Sequence, residues 1–573
     1  MSKLTVDQKS VYALLSDKKA NFLIPDYQRP YTWSKDECET LWFDLINFAV
    51  PEGNAAKFDT ESEYYLGSIV TFLNPQKKQE VIDGQQRLTT LLLLLRAFYD
   101  RFAWMGDDES KATRQAIAQC IWKTTEFGAP LMDQLKIDSQ VISDDTKTEF
   151  LNILKEGETQ PSQQSSYAKN FNFFQEKVSE LANNCPSYVS LFAVRILNNV
   201  IFLPIEADSQ DTALRIFSTL NDRGLPLSDA DIFKSEFYKF FSQRGEKDTF
   251  VARWKSLEST TKEAFDLQRR LDSPLDELFV RYMYFERARR GTPGTTTESL
   301  RAFYSADNFC LLKYELTFNQ LESLAEFWRS IAFQNTDLFS ERVLKRLFVL
   351  HYAPNSMWTY LVSAYFLTYG DQNHRLPDEE FFHFLQKITA FILAYAIVHP
   401  GVSALRAPIF SELANIVQRK PITFSDYLFD GNELKQQFNL YSFTNQRPIT
   451  KALLAWLAFD NEQQKLIKLS DRLQIEHIYS KKRSDIEPLL RKENLESIGN
   501  KSLLEASVNI RASDYRFEDK KKIYRGLSNN GTQVWDLLQL SEQPDFSEQD
   551  IESRKEAIFF AFLNFLKNND LLK

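Results

Sequence analysis

Leu88 to Tyr99 reads L-T-T-L-L-L-L-L-R-A-F-Y, apolar almost throughout. The run is too long for a strand, and a helix with no polar face must be covered on every side. What precedes it narrows the fold further. Tyr64 to Phe72 has the pattern of a buried strand, Asn74-Pro75 of a turn, Gln79 to Ile82 of a short second strand, and Asp83-Gly84 of a tight polar turn. Strand, polar turn and buried helix in that order point to a layered α/β core. A further strand is expected at Ile201 to Ile205, followed by a helix over Asp211 to Leu220 with Asp211 at its start.

Such a core uses only part of 573 residues, so more than one domain is expected. From about 246 to 460 the pattern is helical and rich in aromatic residues, as in Leu316 to Phe333 and Phe381 to Val398. The division expected is 1–245, 246–460 as a helical bundle or spacer, and 461–573. An aromatic content of 14%, with 47 Phe, implies large cores and stacking surfaces for bases or rings. A formal charge of -9 excludes a general polycationic coat for nucleic acid and leaves room for a local basic site. Four cysteines without a C-x-x-C pair argue against a disulfide framework or zinc knuckle and fit a cytoplasmic protein. The most apolar stretch, Phe391 to Val398, is short of the roughly 20 residues of a membrane span, so no membrane partner is expected.

Three polar knots stand out. Phe22 to Trp33 packs Asp26, Tyr27, Gln28, Arg29, Tyr31 and Trp33 between and beyond Pro25 and Pro30, which hold the backbone extended. It reads either as a rigid entry loop anchored by Tyr31 and Trp33 or as a fan of ligand-facing side chains. Asp83-Gly84-Gln85-Gln86-Arg87 lies at the start of the buried helix, where backbone N–H groups and an Arg can hold a phosphate. Asn221-Asp222-Arg223-Gly224 forms the third. There is no G-x-x-x-x-G-K-[ST] string, so any nucleotide hydrolysis would not be of P-loop type. Near the C terminus, His477 is the one histidine adjoining a carboxylate, Glu476, in a strand-like setting.

The strings I-P-x-Y-Q-R-x-Y-x-W at Ile24 to Trp33, D-G-Q-Q-R-L-T-T-L at Asp83 to Leu91 and F-x-x-L-N-x-R-G-x-P-L at Phe217 to Leu227 resemble the signatures of the DUF262 family. The resemblance spans about residues 1 to 240. It implies a ParB/sulfiredoxin-like α/β core, akin to the module of GmrSD-type modification-dependent restriction enzymes, that binds and hydrolyses a nucleoside triphosphate (GTP, ATP or UTP). On it, Tyr27, Gln28, Arg29, Asp83, Gly84, Gln85, Gln86 and Arg87 surround a nucleotide or DNA pocket, Asp83 has a catalytic part, and Asn221 and Arg223 close the pocket.

Glu476-His477-Ile478, Gly499-Asn500-Lys501-Ser502-Leu503-Leu504, Asn509 and Phe517 with Lys520-Lys521 resemble the DUF1524 family, an HNH or His-Me finger (ββα-metal) nuclease domain, over about 462 to 573. The resemblance implies His477 as general base, Asn500 orienting the site through backbone bonds, and Glu476 with Asn509 holding Mg²⁺ or Mn²⁺. The chain departs from the pattern at Tyr479-Ser480-Lys481-Lys482-Arg483, where Pro is frequent, and at Lys501, where an apolar residue is common. The whole is therefore expected to be an α+β multidomain protein. It would cut double-stranded, modified phage DNA under nucleotide control, with a homodimer among its expected assemblies. The reading set beside it is a modification-reading or NTP-regulated DNA-binding protein with a vestigial nuclease site.

Overall fold

A computed structural model describes all residues except 1–4, 7, 142–143, 145, 210–211, 214–215, 217–228, 267–272, 292–298, 372, 402–404, 513–515 and 528–529, with the backbone alone at Thr5 and Val6. Contacts divide the chain into two units, Met1–Val251 and Ala252–Lys573.

The strands of the first unit, in chain order, are β1 (Thr5–Val6), β2 (Lys9–Ser10), β3 (Phe22–Ile24), β4 (Tyr64–Leu73), β5 (Gln79–Asp83), β6 (Trp122–Thr124), β7 (Pro130–Leu135), β8 (Ile137–Ser139) and β9 (Val200–Ala207). Its first seven helices are α1 (Val11–Leu15), α2 (Lys35–Ala49), α3 (Gln85–Phe102), α4 (Asp108–Ile121), α5 (Lys147–Glu156), α6 (Ser166–Asn184) and α7 (Pro186–Asn199). A mixed sheet runs β1-β9-β4-β5-β3-β8, with β2 also on β9, while β6 and β7 form a separate ribbon. β4 pairs antiparallel with β5 across the expected Asn74-Pro75 turn, and parallel with β9 from Tyr64↔Val200 to Phe72↔Ala207. β3 lies between β5 and β8, parallel to both, so the loop that follows β3 leaves the sheet beside the end of β5.

The apolar run becomes α3. Leu88 and Leu91 to Leu95 are all at most 2% exposed, because α3 packs against both α4 and α6. At its start Gly84 has φ 91°, a conformation that suits glycine, and a Cβ there would come within 2.9 Å of the Ser68 carbonyl oxygen of β4. The helix expected over Asp211 to Leu220 falls largely outside the described residues, as do Asn221 and Arg223.

The second unit holds both the aromatic helical stretch and the C-terminal segment. Its rings stack in the core: Tyr284 on Tyr360 at 4.0 Å, Phe327 on Phe366 at 4.1 Å and Phe391 on Phe424 at 3.7 Å between centroids. The buried Arg281 guanidinium lies over Phe265 and Trp328, at 4.3 and 4.1 Å. Packing thus absorbs much of the Phe and Tyr content. The apolar stretch at Phe391 to Val398 belongs to a longer helix, Asp378–Val398, whose 21 residues are long and apolar enough for a membrane span, contrary to the sequence expectation. Its most apolar window is 72% buried within the protein, and its first turn carries Asp378, Glu379 and Glu380.

After Pro448–Phe459, β10 (Leu473–His477) pairs antiparallel with β11 (Lys501–Glu505), and the helix Ala506–Ala512 follows directly. A core of Ile478, Leu504, Phe517, Tyr524, Phe546 and Ile551 sits beneath. Gly499 precedes β11 because a Cβ there would overlap the Ile551 carbonyl of the terminal helix, Glu548–Asn568.

Candidate functional site

The loop after β3 is tied to the start of α3 by amides. Gln28 Nε2 donates to the Ile82 carbonyl at 3.1 Å, and Gln85 Nε2 donates to Gln28 Oε1 at 3.0 Å. Gln86 accepts from the Thr32 N–H at 2.8 Å and donates to the Pro30 carbonyl at 2.9 Å. All three glutamines are buried. Further along, Tyr31 OH shares a hydrogen bond with Thr90 at 2.7 Å, and Asn170 of α6 donates to Tyr31 OH and to the Trp33 carbonyl. Ser34 then caps α2 in a reciprocal box with Glu37.

Arg29 lies between two residues fixed in this way. Its Nε is buried and has no hydrogen-bond partner. Buried donors are nearly always satisfied in folded proteins, so an orphan guanidinium nitrogen suits an anionic group, and the loop that carries it is tied through Gln28 to a helix N-terminus without a side-chain cap. Asp83 accepts from Ser68 Oγ at 3.3 Å and pairs with Arg87 at 3.1 Å, and Arg87 also reaches the Leu66 carbonyl at 3.4 Å. On the other side of the loop, Asp26 accepts from Tyr238 OH at 2.8 Å and pairs with Lys247 at 2.7 Å. Tyr27 OH donates to Glu80 at 3.5 Å. Burial, and the charge of Asp26, push the Glu80 carboxyl above its usual range. Sequence reasoning did not single out Glu80, Asn170, Tyr238 or Lys247.

In the second unit, successive residues of β10 face opposite sides. Glu476 is 4% exposed and turns toward the helix Phe517–Tyr524, where it accepts from Lys520 Nζ and from Tyr524 OH, each at 2.6 Å. His477 turns to the other face, opposite Lys501 of β11. Its Nε2 is buried without a hydrogen bond; Glu496 Oε1 is 3.4 Å away, outside hydrogen-bond geometry. Burial first, then the Lys501 ammonium and Lys481, outweigh the pull of Glu496 and lower the His477 pKa to about 4. The imidazole is therefore neutral at pH 7. Lys501 is itself fully buried, its ammonium bonded to Asn445 Oδ1 at 2.6 Å and to Glu496.

Asn500 is fully buried and holds the turn after His477. Its Oδ1 accepts from the Tyr479 N–H at 2.7 Å and its Nδ2 donates to the Tyr479 and Leu495 carbonyls at 3.0 Å. The basic run divides: Arg483 pairs with Glu487 and Asp545, whereas Lys481, 3.4 Å from Glu496, and Lys482 are exposed. Asn509 donates to Gln474 at 2.8 Å. Among the described residues no group of three or more His, Cys, Asp and Glu side chains gathers around a possible metal position. Lys520 and Tyr524 both bond to Oε1 of Glu476, on the face of β10 away from His477.

No curated protein matches the chain. Residues 11–238 match the family model described as GmrSD restriction endonuclease, N-terminal domain, and residues 430–560 that described as GmrSD restriction endonucleases, C-terminal domain. The first match contains the loop after β3 and the Asp83 turn; the second contains β10, β11 and His477. The two resemblances read from the motifs are thus those of one restriction system, and they support nuclease activity in general. The chain thus carries, on a single polypeptide, one segment similar to the N-terminal domain and one similar to the C-terminal domain of the GmrSD restriction endonucleases.

Proposed function

We propose that this protein is a nucleotide-regulated, modification-dependent DNA endonuclease of a phage-defence system, in which His477 removes the proton from the water that attacks a DNA phosphodiester. The observation that carries the proposal is His477 Nε2, buried, unbonded and held neutral at pH 7. A general base must be unprotonated before it acts, and a neutral imidazole inside a family-matched ββα segment meets that condition. Lys481 and Lys482, exposed just beyond β10, supply positive charge for the phosphate backbone. Asn500 keeps the turn in register, and no step is assigned to a divalent ion.

In the first unit, Arg29 and the N–H groups at the start of α3 would hold the phosphates of a nucleoside triphosphate. Gln28, Gln85 and Gln86 keep the loop in place, and the Asp83–Arg87 pair borders the site. Tyr27 lies on the same loop, and Asn221 and Arg223 are proposed to complete the pocket. The bound nucleotide would supply a state signal, and the helical stretch of 246–460 would carry it.

The test is cleavage of paired modified and unmodified phage DNA with Mg²⁺ or Mn²⁺, with and without each NTP, beside His477→Ala and Asp83→Ala. The proposal expects cutting that is lost in the first variant and altered in nucleotide dependence in the second. A second reading, a modification reader with a vestigial nuclease site, draws support from the commitment of Glu476 to Lys520. DNA binding without cutting under every condition would favour that reading.

A further inference from the structure

The Glu476 carboxylate, the Lys520 ammonium and the Tyr524 hydroxyl form one buried cluster, and through Lys520 it reaches the backbone of the candidate base. Lys520 Nζ lies 2.6 Å from Glu476 Oε1 and 2.6 Å from the His477 carbonyl oxygen. Tyr524 OH donates to the same Glu476 oxygen at 2.6 Å. The side chains of Lys520 and Glu476 are 1% and 5% exposed, and Tyr524 is fully buried. We infer that Glu476 is a positioning residue: with Lys520 and Tyr524 it braces the end of β10 and sets the direction of the His477 imidazole, and it is not a ligand of a divalent ion.

Three physical points support this. A carboxylate attracts a metal ion by its charge, and here a cation already occupies that role at contact distance in a site closed to water. Tyr524 occupies a second acceptor direction on the same oxygen, and burial raises its pKa well above the ordinary value, so it stays a donor. Finally, Glu476 and His477 point to opposite faces of β10, so a ligand held by Glu476 would lie across the strand from Nε2. What Glu476 and His477 share is the backbone between them. Lys520 grips that backbone at the His477 carbonyl, while Asn500 fixes the next two residues through the Tyr479 N–H and carbonyl and, with its own carbonyl, the Ile478 N–H. The candidate base thus stands on a backbone segment clamped from two sides. The inference rests on the nuclease reading only for what His477 does; the brace itself does not.

The experiment uses the full chain with histidine labelled in the imidazole ring, the His477 resonance being assigned by its loss in His477→Ala. Glu476→Gln, Lys520→Met and the milder Tyr524→Phe are compared with the parent by NMR and by Mn²⁺ titration. The brace predicts that the His477 resonance moves in all three, least in Tyr524→Phe, and that Mn²⁺ affinity changes less than about 3-fold in Glu476→Gln. If the parent cuts DNA, Lys520→Met should lower kcat about 10- to 100-fold at an unchanged metal requirement, as a small misplacement of a catalytic group does. An unmoved His477 resonance in folded Glu476→Gln and Tyr524→Phe, or a loss of Mn²⁺ affinity of 10-fold or more in Glu476→Gln, overturns the inference. Absence of cutting by the parent counts against the nuclease reading alone, because the resonance is read without turnover.

Discussion

The loop after β3 and the end of β10 solve the same problem with different chemistry. Each presents one buried nitrogen without a hydrogen bond, Arg29 Nε in the first unit and His477 Nε2 in the second, among motif residues that are engaged with their neighbours. Around Arg29 the engaged groups are mainly neutral amides that bond to backbone and to one another. Around His477 they are largely charged: Glu476 with Lys520 on one face of β10, Glu496 with Lys501 on the other. Amide bonds are indifferent to pH and modest in strength, whereas a buried ion pair depends on both partners being present. The lesson is that most residues of these motifs maintain geometry, and few are free to meet a ligand.

The contrast can be broken in five ways, from the largest effect to the smallest. His477→Ala should reduce DNA cleavage by about 10²- to 10⁴-fold, the usual contribution of a general base, with circular dichroism unchanged; an active variant would leave the second region without its free group. Lys520→Met leaves the buried Glu476 carboxylate without its cation, with Tyr524 still donating to it, and should destabilise the second unit by about 3–5 kcal/mol in urea denaturation. A loss below about 1 kcal/mol would mean that the charged cluster is no stronger than the amide one.

The third concerns pH. The His477 pKa is about 4 in the folded protein, below the ordinary value of about 6.5, so the unfolded chain binds the proton more readily. Its stabilising share is complete above about pH 6.5 and is lost as pH falls toward 4, to a total of ~3 kcal/mol. Stability of the parent and of His477→Gln, compared at pH 7.5 and pH 5, should show a shallower fall in the variant. Equal slopes would contradict the buried neutral imidazole.

Gln86→Ala should cost about 1–3 kcal/mol, since the Thr32 N–H and the Pro30 carbonyl both lose their partner. Arg29→Ala should move stability by less than about 0.5 kcal/mol, because nothing bonds to its buried nitrogen. Nucleotide affinity, read by calorimetry, should nevertheless fall about 10-fold or more in that variant, as expected for a charged hydrogen bond. A large stability loss with intact binding would make Arg29 another scaffold residue.

How much of this could be read in advance differs between the elements and the sites. β4, β5 and α3 were legible because an apolar strand, a turn at Asn74-Pro75 and an unbroken apolar helix admit few arrangements. The helix at Phe381 to Val398 was legible too, but its reach to a membrane-spanning length was not, since only its second half forms a continuous apolar run. Motif positions were legible, but their division of labour was hidden. Gln28, Gln85 and Gln86 carry amides that can read a ligand or tie a backbone, and the choice depends on where Pro30, Thr32 and Ile82 lie in space. Glu476 and Lys520 are 44 residues apart, and nothing along the chain says that the ammonium closes on that carboxylate. Lys501, a departure from the family pattern, is explained by Asn445 and Glu496, which reach it from other elements. The third motif, at Asn221 and Arg223, lies outside the described residues.

The sheet also sets a timetable for the nascent chain. Among the described residues β2 pairs with β9, Lys9 opposite Phe202, and β4 needs the same strand on its open edge. At a synthesis rate of about 5–20 residues per second, β9 leaves the ribosome roughly 10–40 s after β2. In the later part of that interval, once β4 and α3 have themselves been made, the long edge of β4 is unpaired and the leucine-rich α3 lacks part of its cover. The growing polypeptide therefore passes through a sticky half-made state whose length is fixed by the distance from β2 to β9, and shielding by chaperones would matter most there.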